Sequence, residues 1–190
     1  MHINLKILTV LVLLIPSFGC DGPIGIGNQL VPASLDRAAP FSYTARLGRK
    51  WGGDNFEVVE GNMVHFVYLR GIDAPCEGQF GRELAEEKTR ILTRGKMVVV
   101  NVVLRDGWQR EEGFVEIPDE ETGQKKDLGL ELISSGLAWF DGSEGSHHDA
   151  YQAAHEKAKK QKLGVWSQKD PVPPWEFWEQ LQQQRSANKE

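Results

Sequence analysis

The chain has 190 residues, of which 40% are hydrophobic and 26% charged, and its formal net charge is −5 at pH 7. This length gives room for one domain of ordinary size with tails. The acidic balance argues against a general nucleic-acid binder, which would show a basic footprint, although a local basic groove stays compatible with it. Two cysteines are too few for a disulfide framework, and the sequence has no CxxC pair and no zinc-finger spacing.

The first 19 residues have the features of an export signal. Lys6 and the amino terminus supply positive charge, and the apolar stretch 7–16 is too short to span a bilayer as a helix. The stretch runs into Ser17-Phe18-Gly19-Cys20, which resembles a bacterial lipobox except that a small residue is preferred where Phe stands. The pattern predicts a lipoprotein-type signal peptide over 1–19, acylation of Cys20 and a lipid-anchored protein of the bacterial cell envelope. An ordinary secretory signal, giving a secreted protein, is the alternative.

A flexible tether is predicted after the signal. Residues 20–40 are rich in Gly, Pro and small polar side chains, a composition typical of linkers. If Cys20 is acylated, Cys76 has no intramolecular partner, because the chain contains no third cysteine.

The domain that follows begins with strands and continues with a mixture of strands and helices. Alternating or continuous apolar runs predict strands, and apolar positions recurring with a 3.6-residue period among charged ones predict helices. In chain order the pattern predicts strands at Phe41–Leu47, Phe56–Val59 and Met63–Leu69, a loop at Gly71–Gly81, a helix at Glu83–Leu92, strands at Lys96–Leu104 and Phe114–Ile117, and helices at Leu128–Leu137 and Tyr151–Gln161. This order favours a mainly β α+β fold, a five-stranded OB-fold barrel with about three packed helices, over residues 41–168.

The final segment, residues 169–190, is a tail that contains proline and tryptophan. Its Pro171–Trp178 stretch is predicted to pack back on the barrel, with partner docking as the alternative, and its end is expected to be disordered.

Several motifs in this order resemble the thermonuclease (staphylococcal nuclease-like) family. The family has one aspartate on an early barrel strand and a second about 19 residues later, in a loop that reads G-I-D-A-P-E. Asp54, in Gly53-Asp54-Asn55, and Asp73, in Gly71-Ile72-Asp73-Ala74-Pro75, have this spacing. The resemblance continues through Gln79–Ala85 and Ser135–Ala138 to the closing Leu163-Gly164-Val165-Trp166, and covers about two-thirds of the chain.

The resemblance implies a calcium site and phosphodiester chemistry. Asp54 and Asp73 match the family's two calcium carboxylates, and Ala74 would supply the third ligand, a backbone carbonyl. Oxygen ligands of this kind suit a hard cation. The alternative is that the two carboxylates are relics that bind no ion.

The remaining catalytic positions depart from the family pattern. The family's general base, a glutamate, follows the loop proline, and Cys76 stands there, with Glu77 one residue later. The first catalytic arginine should stand five residues before the second aspartate, where Tyr68 is found, and Arg70 lies two residues further on. A one-residue slip turns Glu77 away from the expected direction, whereas Arg70 shares a strand face with Tyr68.

The second arginine has two candidate positions. Counting forward from Asp106 places Arg110 on it, whereas counting backwards from the strand at Phe114 places Glu112 there. We favour Arg110, followed by a two-residue insertion, Glu111-Glu112, that adds negative charge beside the site.

The sequence therefore predicts a thermonuclease-fold protein that has lost catalysis and acts by binding, so whether it is an enzyme is left open. Single-stranded nucleic acid and an envelope protein are the candidate partners, besides the membrane itself, and a monomer is expected. The runner-up is an active calcium-dependent nuclease of DNA or RNA, with Arg70, Arg110 and Glu77 in relocated roles. A third alternative is a structural module of the envelope that has no ligand.

Overall fold

The structure is a computed structural model. It describes residues 40–50, 52–106, 108–119, 121–143 and 145–187. The predicted signal peptide, the acylation site Cys20 and all of the predicted tether except Pro40 lie outside the described residues, as do Gly107 and residues 188–190. Among the described residues, none of the helices has the combination of length and apolar character that crossing a lipid bilayer requires.

Eight strands and four helices make up the described part of the chain. They are β1 (Phe41–Lys50), β2 (Asn55–Glu60), β3 (Met63–Leu69), β4 (Ile72–Asp73), α1 (Arg82–Thr93), β5 (Val98–Arg105), β6 (Arg110–Pro118), β7 (Lys125–Asp127), α2 (Leu128–Ser134), β8 (Trp139–Phe140), α3 (His148–Lys160) and α4 (Pro174–Ala187), with a 3₁₀ turn at Gly164–Ser167 between α3 and α4.

Five of the strands close into a ring. The sheet order is β3-β2-β1-β5-β6-β7, and β3 pairs with β6 in parallel, from Phe66 opposite Arg110 to Leu69 opposite Gly113. This pairing joins the two sides of the sheet, so that β1, β2, β3, β5 and β6 enclose a core. The prediction of a mainly β α+β fold with a five-stranded barrel is confirmed.

The core follows from the alternation of side chains along the strands, because every second residue of a strand points to the same face. The fully buried members include Phe56 and Val58 of β2, Val67 of β3, and Val98 and Val100 of β5. The α2 helix adds Leu132 and Ile133 over the barrel.

Two glycines bring the end of α2 against the 3₁₀ turn. Gly136 has φ +67° and Gly164 has φ +51°, conformations that side chains disfavour. A Cβ on Gly164 would lie 2.2 Å from the carbonyl oxygen of Gly136, and that carbonyl accepts the N–H of Val165 at 2.8 Å. The Ser135–Ala138 and Leu163–Trp166 motifs therefore form one junction.

Several elements differ from the sequence prediction, among them the short strand β7. The loop predicted at Gly71–Gly81 contains β4, whose Asp73 pairs with Trp139 of β8. The strand predicted at Phe114–Ile117 is longer, since β6 begins at Arg110. Residues 174–187 form the helix α4, which the sequence pattern does not predict.

Candidate functional site

The two aspartates of the predicted cation site meet at one end of the barrel. Asp54 precedes β2, and Asp73 ends β4. The N–H of Ala74 donates to Oδ2 of Asp54 at 2.8 Å, so the Asp54 carboxylate lies against the peptide that follows Asp73. Each aspartate is 9% exposed. The structure thus brings together Asp54, Asp73 and Ala74, as the sequence predicts.

Helix α1 fixes the position of Asp54 through the glycine that precedes it. The hydroxyl of Thr89 donates to the carbonyl oxygen of Gly53 at 2.7 Å, within the buried interior. A Cβ on Gly53 would lie only 2.5 Å from the Cβ of Ala85. The absence of a side chain at Gly53 therefore lets the turn before β2 approach the helix closely.

The donor set of this end of the barrel fits a hard cation. Two carboxylates and the Ala74 carbonyl are oxygen ligands, which Ca²⁺ prefers. In the part of the chain that the structure describes, no group of three or more His, Cys, Asp and Glu side chains is arranged to hold a metal. Asp54 and Asp73, with the carbonyl oxygen of Ala74, are the groups that would hold a calcium ion here.

Cys76 occupies the position of the expected general base, and it is turned into the interior. Its side chain is 1% exposed, and its Sγ lies 3.7 Å from the carbonyl oxygen of Pro174. Its N–H donates to Oε1 of Gln79 at 2.7 Å. None of the described residues is a free cysteine, so Cys76 offers neither a carboxylate base nor a thiolate nucleophile. Glu77 is exposed to solvent.

The C-terminal segment covers this position. The amide nitrogen of Gln79 donates to the carbonyl oxygen of Val172 at 3.0 Å, and Pro174, the first residue of α4, is buried. Phe177 and Trp139 line a cavity of about 160 Å³ beside them. The Pro171–Trp178 stretch therefore packs back on the domain at the loop that follows β4.

The candidate arginines lie on the outer face of the barrel, around Tyr68. The guanidinium carbon of Arg110 is 5.8 Å from the centroid of the Tyr68 ring. Its Nε lies 2.6 Å from Oδ2 of Asp106, whose Oδ1 accepts the N–H groups of Trp108 and Arg110, each at 2.9 Å. The turn that precedes β6 thus holds Arg110 in place.

Arg70 is held by the other acid of this face. Its Nη1 lies 2.6 Å from Oε1 of Glu112, which is level with Tyr68 in the pairing of β3 with β6. The structure therefore places Arg70, Arg110 and Glu112 together around Tyr68. Both guanidinium groups are already engaged by carboxylates, with which a phosphate ligand would have to compete.

The two residues predicted as an insertion, Glu111 and Glu112, differ in their orientation. Both residues lie in the continuous strand β6, where Glu111 is opposite Val67 and Glu112 is opposite Tyr68. The pairing of β5 with β6 is irregular between Val102, opposite Gly113, and Leu104, opposite Glu112. Along β6, Arg110 and Glu112 face outward at the site, whereas Glu111 is buried.

Glu111 is a buried carboxylate that the sequence analysis placed beside the site. It is 1% exposed and interacts with Tyr43, with Nδ1 of His65 at 3.0 Å, and with Arg105. Burial raises its pKa, but the hydrogen bonds from Tyr43, Arg105 and His65 outweigh burial and lower the pKa. Strand alternation with Gly113, Val115 and Ile117 is the signal that predicts its inward orientation.

The ring of five strands, its helices and the acidic pair at one end define a nuclease-type OB fold. The sequence model of the family described as "Staphylococcal nuclease homologue" matches residues 66–168. This chain belongs to the staphylococcal nuclease homologue family.

Named relatives are similar over most of their length. An "Uncharacterized endonuclease" of Escherichia coli O157:H7 is 30% identical over 130 residues, which cover 68% of this chain and 81% of that protein. A "Micrococcal nuclease" of Shigella flexneri is 30% identical over 151 residues, with 77% and 83% covered. An "Uncharacterized endonuclease" of Haemophilus influenzae is 28% identical over 132 residues, with 69% and 70% covered.

Proposed function

We propose that this chain is an exported thermonuclease-fold protein that binds single-stranded nucleic acid in the presence of calcium and does not cleave it. The observation that carries the proposal is the state of Cys76. Where the family requires a glutamate base, the chain has a side chain that is 1% exposed and covered by Pro174. Because this position has no carboxylate, it offers no general base that could activate a water molecule.

The loss of catalysis also follows from Tyr68. An arginine at this position would stabilise the charge that develops on the phosphorus oxygens, and a tyrosine lacks that charge. Loss of one preorganised donor lowers transition-state stabilisation by about 2.7–4 kcal/mol in other enzymes. The general base is lost as well. We therefore expect the protein to cleave DNA no faster than a variant in which the cation site has been removed.

Binding is supported by the groups that this site keeps. The candidate site keeps four carboxylates and two guanidinium groups. They belong to Asp54, Asp73, Asp106 and Glu112 and to Arg70 and Arg110. Because the acidic side chains outnumber the arginines, the site has a net negative charge. This charge repels a phosphate chain unless a divalent cation neutralises it. Calcium, when bound by Asp54 and Asp73, would supply that charge. We therefore propose binding that depends on calcium.

An active nuclease is the second candidate. The observation that favours it is the presence of two guanidinium groups at the site. Arg110 lies over the ring of Tyr68, and Arg70 pairs with Glu112, which is opposite Tyr68, so the two could contact one phosphate together. In this alternative Glu77, which is exposed, would act as the base after a movement of its loop.

One assay separates the two candidates. Purified protein is incubated with supercoiled plasmid in millimolar calcium, and binding of a fluorescent single-stranded oligonucleotide is measured in parallel. We expect wild type to nick the plasmid no faster than Asp73→Asn, and to bind the oligonucleotide in calcium but not in a chelator. Rapid nicking that disappears in Asp73→Asn would establish the active nuclease. Absence of binding to an oligonucleotide under either condition would contradict the proposal.

We also propose that the protein is attached to a membrane through acylated Cys20. The short apolar run at 7–16 and the small residue Gly19 before Cys20 support this step. Acyl chains contribute about 0.8 kcal/mol per buried methylene. Acylation turns the Cys20 sulfur into a thioether, which cannot form a disulfide. Because Cys76 is not a free cysteine in the structure and the chain has only two cysteines, acylation of Cys20 and a disulfide at Cys76 within the chain are mutually exclusive.

A further inference from the structure

The cavity between the loop after β4 and the C-terminal segment, which we call the aromatic cavity, has three aromatic rings in its wall and a volume of about 160 Å³. Trp139 is 4% exposed and Phe80 is 51% exposed, so the wall runs from the interior to the surface. Phe177 of α4 is half-buried. A cavity of about 150 Å³ in another protein takes a benzene molecule, so the aromatic cavity has room for a small organic group.

Contacts between the loop and the C-terminal segment fix the walls of the aromatic cavity. The side-chain amide of Gln79 donates to the carbonyl oxygen of Val172 at 3.0 Å, and both residues line the cavity. A Cβ on Gly78 would lie 3.8 Å from Cζ of Phe177, so the Phe177 ring packs against the loop. The cavity is therefore formed by elements that are held together without a ligand.

The groups in the wall of the aromatic cavity favour a cation. Among the described residues that line it, none is basic, and Asp170 supplies a carboxylate. Within the described part of the chain, Asp170 forms no side-chain hydrogen bond or ion pair, so no cation neutralises it at close range. The faces of aromatic rings carry partial negative charge as well. Rings and a carboxylate around one cavity suit a quaternary ammonium group, which is apolar at its surface and has no N–H groups to satisfy.

We propose that the aromatic cavity binds a small trimethylammonium compound of the choline type. The rings would contact the methyl groups, and Asp170 would lie near the positive charge. Asp54, Asp73 and the arginines of the candidate site do not line this cavity, so the new site is separate from the calcium and nucleic-acid site proposed above and does not depend on it. An ammonium group with N–H donors fits less well, because ring faces replace its hydrogen bonds to water poorly.

The test is an NMR titration of the purified protein, as its host processes it, with choline chloride. Dimethylbutanol, the neutral carbon isostere of choline, is the matched control ligand, because it has the same shape and lacks the charge. We expect choline to bind at least about tenfold more tightly than the neutral alcohol. The largest shift changes should fall on residues 78–80 and 168–172. Equal binding of the two compounds, or no saturable binding of choline, would overturn the proposal.

Two variants test the rings and the carboxylate one at a time. Phe80→Leu keeps an apolar side chain but removes a ring, and Asp170→Asn keeps the shape but removes the charge. Each should raise the Kd for choline at least about threefold and leave the melting temperature nearly unchanged, because both positions are exposed. Trp175→Leu, which removes a 39% exposed ring of α4 that does not line the cavity, should leave the Kd unchanged. Wild-type affinity in Phe80→Leu or in Asp170→Asn would overturn the proposal.

Glycerophosphocholine separates the two sources of a trimethylammonium group, a free solute and a lipid headgroup. Its phosphate would lie near the carboxylate of Asp170, so we expect it to bind more weakly than choline, which would assign the site to a free solute. Tighter binding than that of choline would also support a trimethylammonium site and would assign it to a headgroup.

Discussion

Cys76 and Tyr68 stand at the two positions where the residues of this chain depart most from the requirements of phosphodiester cleavage. They differ in their surroundings: Cys76 is buried beneath Pro174, whereas Tyr68 is partly exposed beside Arg110. A substitution at Tyr68 can therefore be accommodated on the surface. A substitution at Cys76 must displace a packed segment.

The double substitution Tyr68→Arg/Cys76→Glu should raise calcium-dependent plasmid nicking by more than the product of the two single gains. Cys76→Glu alone provides a base without charge stabilisation, and Tyr68→Arg alone provides charge without a base, so each should achieve little. Initial nicking rates of the four proteins measure the coupling, and melting curves show which of them are folded.

Addition of Asp73→Asn to the double variant is the control, and it should remove the gain. A double variant that folds, binds calcium and stays inactive would refute this account of the defect. Glu112, which engages Arg70, would then be the next group to replace.

The neighbours Glu111 and Glu112 allow a matched comparison of a buried and an exposed carboxylate. Glu111→Gln should lower the free energy of unfolding by about 1–3 kcal/mol, because the hydrogen bonds between the buried carboxylate and Tyr43, His65 and Arg105 are lost or weakened. Glu112→Gln, at a side chain 39% exposed, should change it by about 1 kcal/mol or less. Urea unfolding at neutral pH measures both, and equal effects would argue against the burial of Glu111.

The same residue gives a pH dependence with a defined sign. The pKa of Glu111 is lowered from its ordinary value of 4.5 when the protein is folded. Its contribution to stability is therefore complete above the unfolded pKa and is lost as the pH falls through the folded pKa. The difference in unfolding free energy between wild type and Glu111→Gln should shrink below pH 4.5.

At the scale of elements, the turn before β2 depends on its contact with α1. Gly53→Ala should destabilise the protein by about 1–3 kcal/mol, because the new methyl group would lie 2.5 Å from the Cβ of Ala85 and would push the helix away. It should also weaken the rise in melting temperature that calcium produces, since Asp54 follows directly. Thermal unfolding with and without calcium measures both effects.

The control for this substitution is Gly48→Ala in β1. A Cβ there would meet its nearest neighbours at 3.4 Å, which is ordinary contact, so stability and the calcium effect should both be nearly unchanged. A Gly53→Ala protein as stable and as calcium-responsive as Gly48→Ala would show that the close approach of α1 does not position the site.

The elements differ in how well the sequence predicts them, for physical reasons. Strands such as Met63–Leu69 and the helix at Arg82–Thr93 have strong apolar periodicity, and the sequence predicts them closely. The start of β6 is missed because Arg110, Glu111 and Glu112 are charged, and their pairing depends on partners from other strands. The two-residue strands β4 and β8 are too short for any periodic pattern.

The sequence predicts only part of the candidate site, because some of its contacts join residues that are distant in the chain. Asp54, Asp73 and Ala74 follow from a motif with fixed spacing, and their proximity needs only the fold. The pairing of Arg70 with Glu112 depends on the register between β3 and β6, in which Glu112 is opposite Tyr68. Because the paired residues of these strands lie about 44 positions apart in the chain, no local pattern in the sequence signals this contact.

At the scale of the whole molecule, the proposed membrane attachment depends on acylation of Cys20. Cys20→Ala should move the protein from the membrane fraction to the soluble fraction and abolish labelling by radioactive fatty acid. Mass spectrometry after alkylation, with and without reduction, provides the control. An unlabelled wild type whose two cysteines become alkylated only after reduction would show a disulfide in place of the lipid and would contradict acylation.

The contact between Cys76 and Pro174 joins two segments that are synthesised at different times. The two residues lie 98 positions apart, so the ribosome completes the loop that bears Asp73 long before it makes the segment that covers it. The contact that covers Cys76 therefore cannot form until the segment around Pro174 has been synthesised.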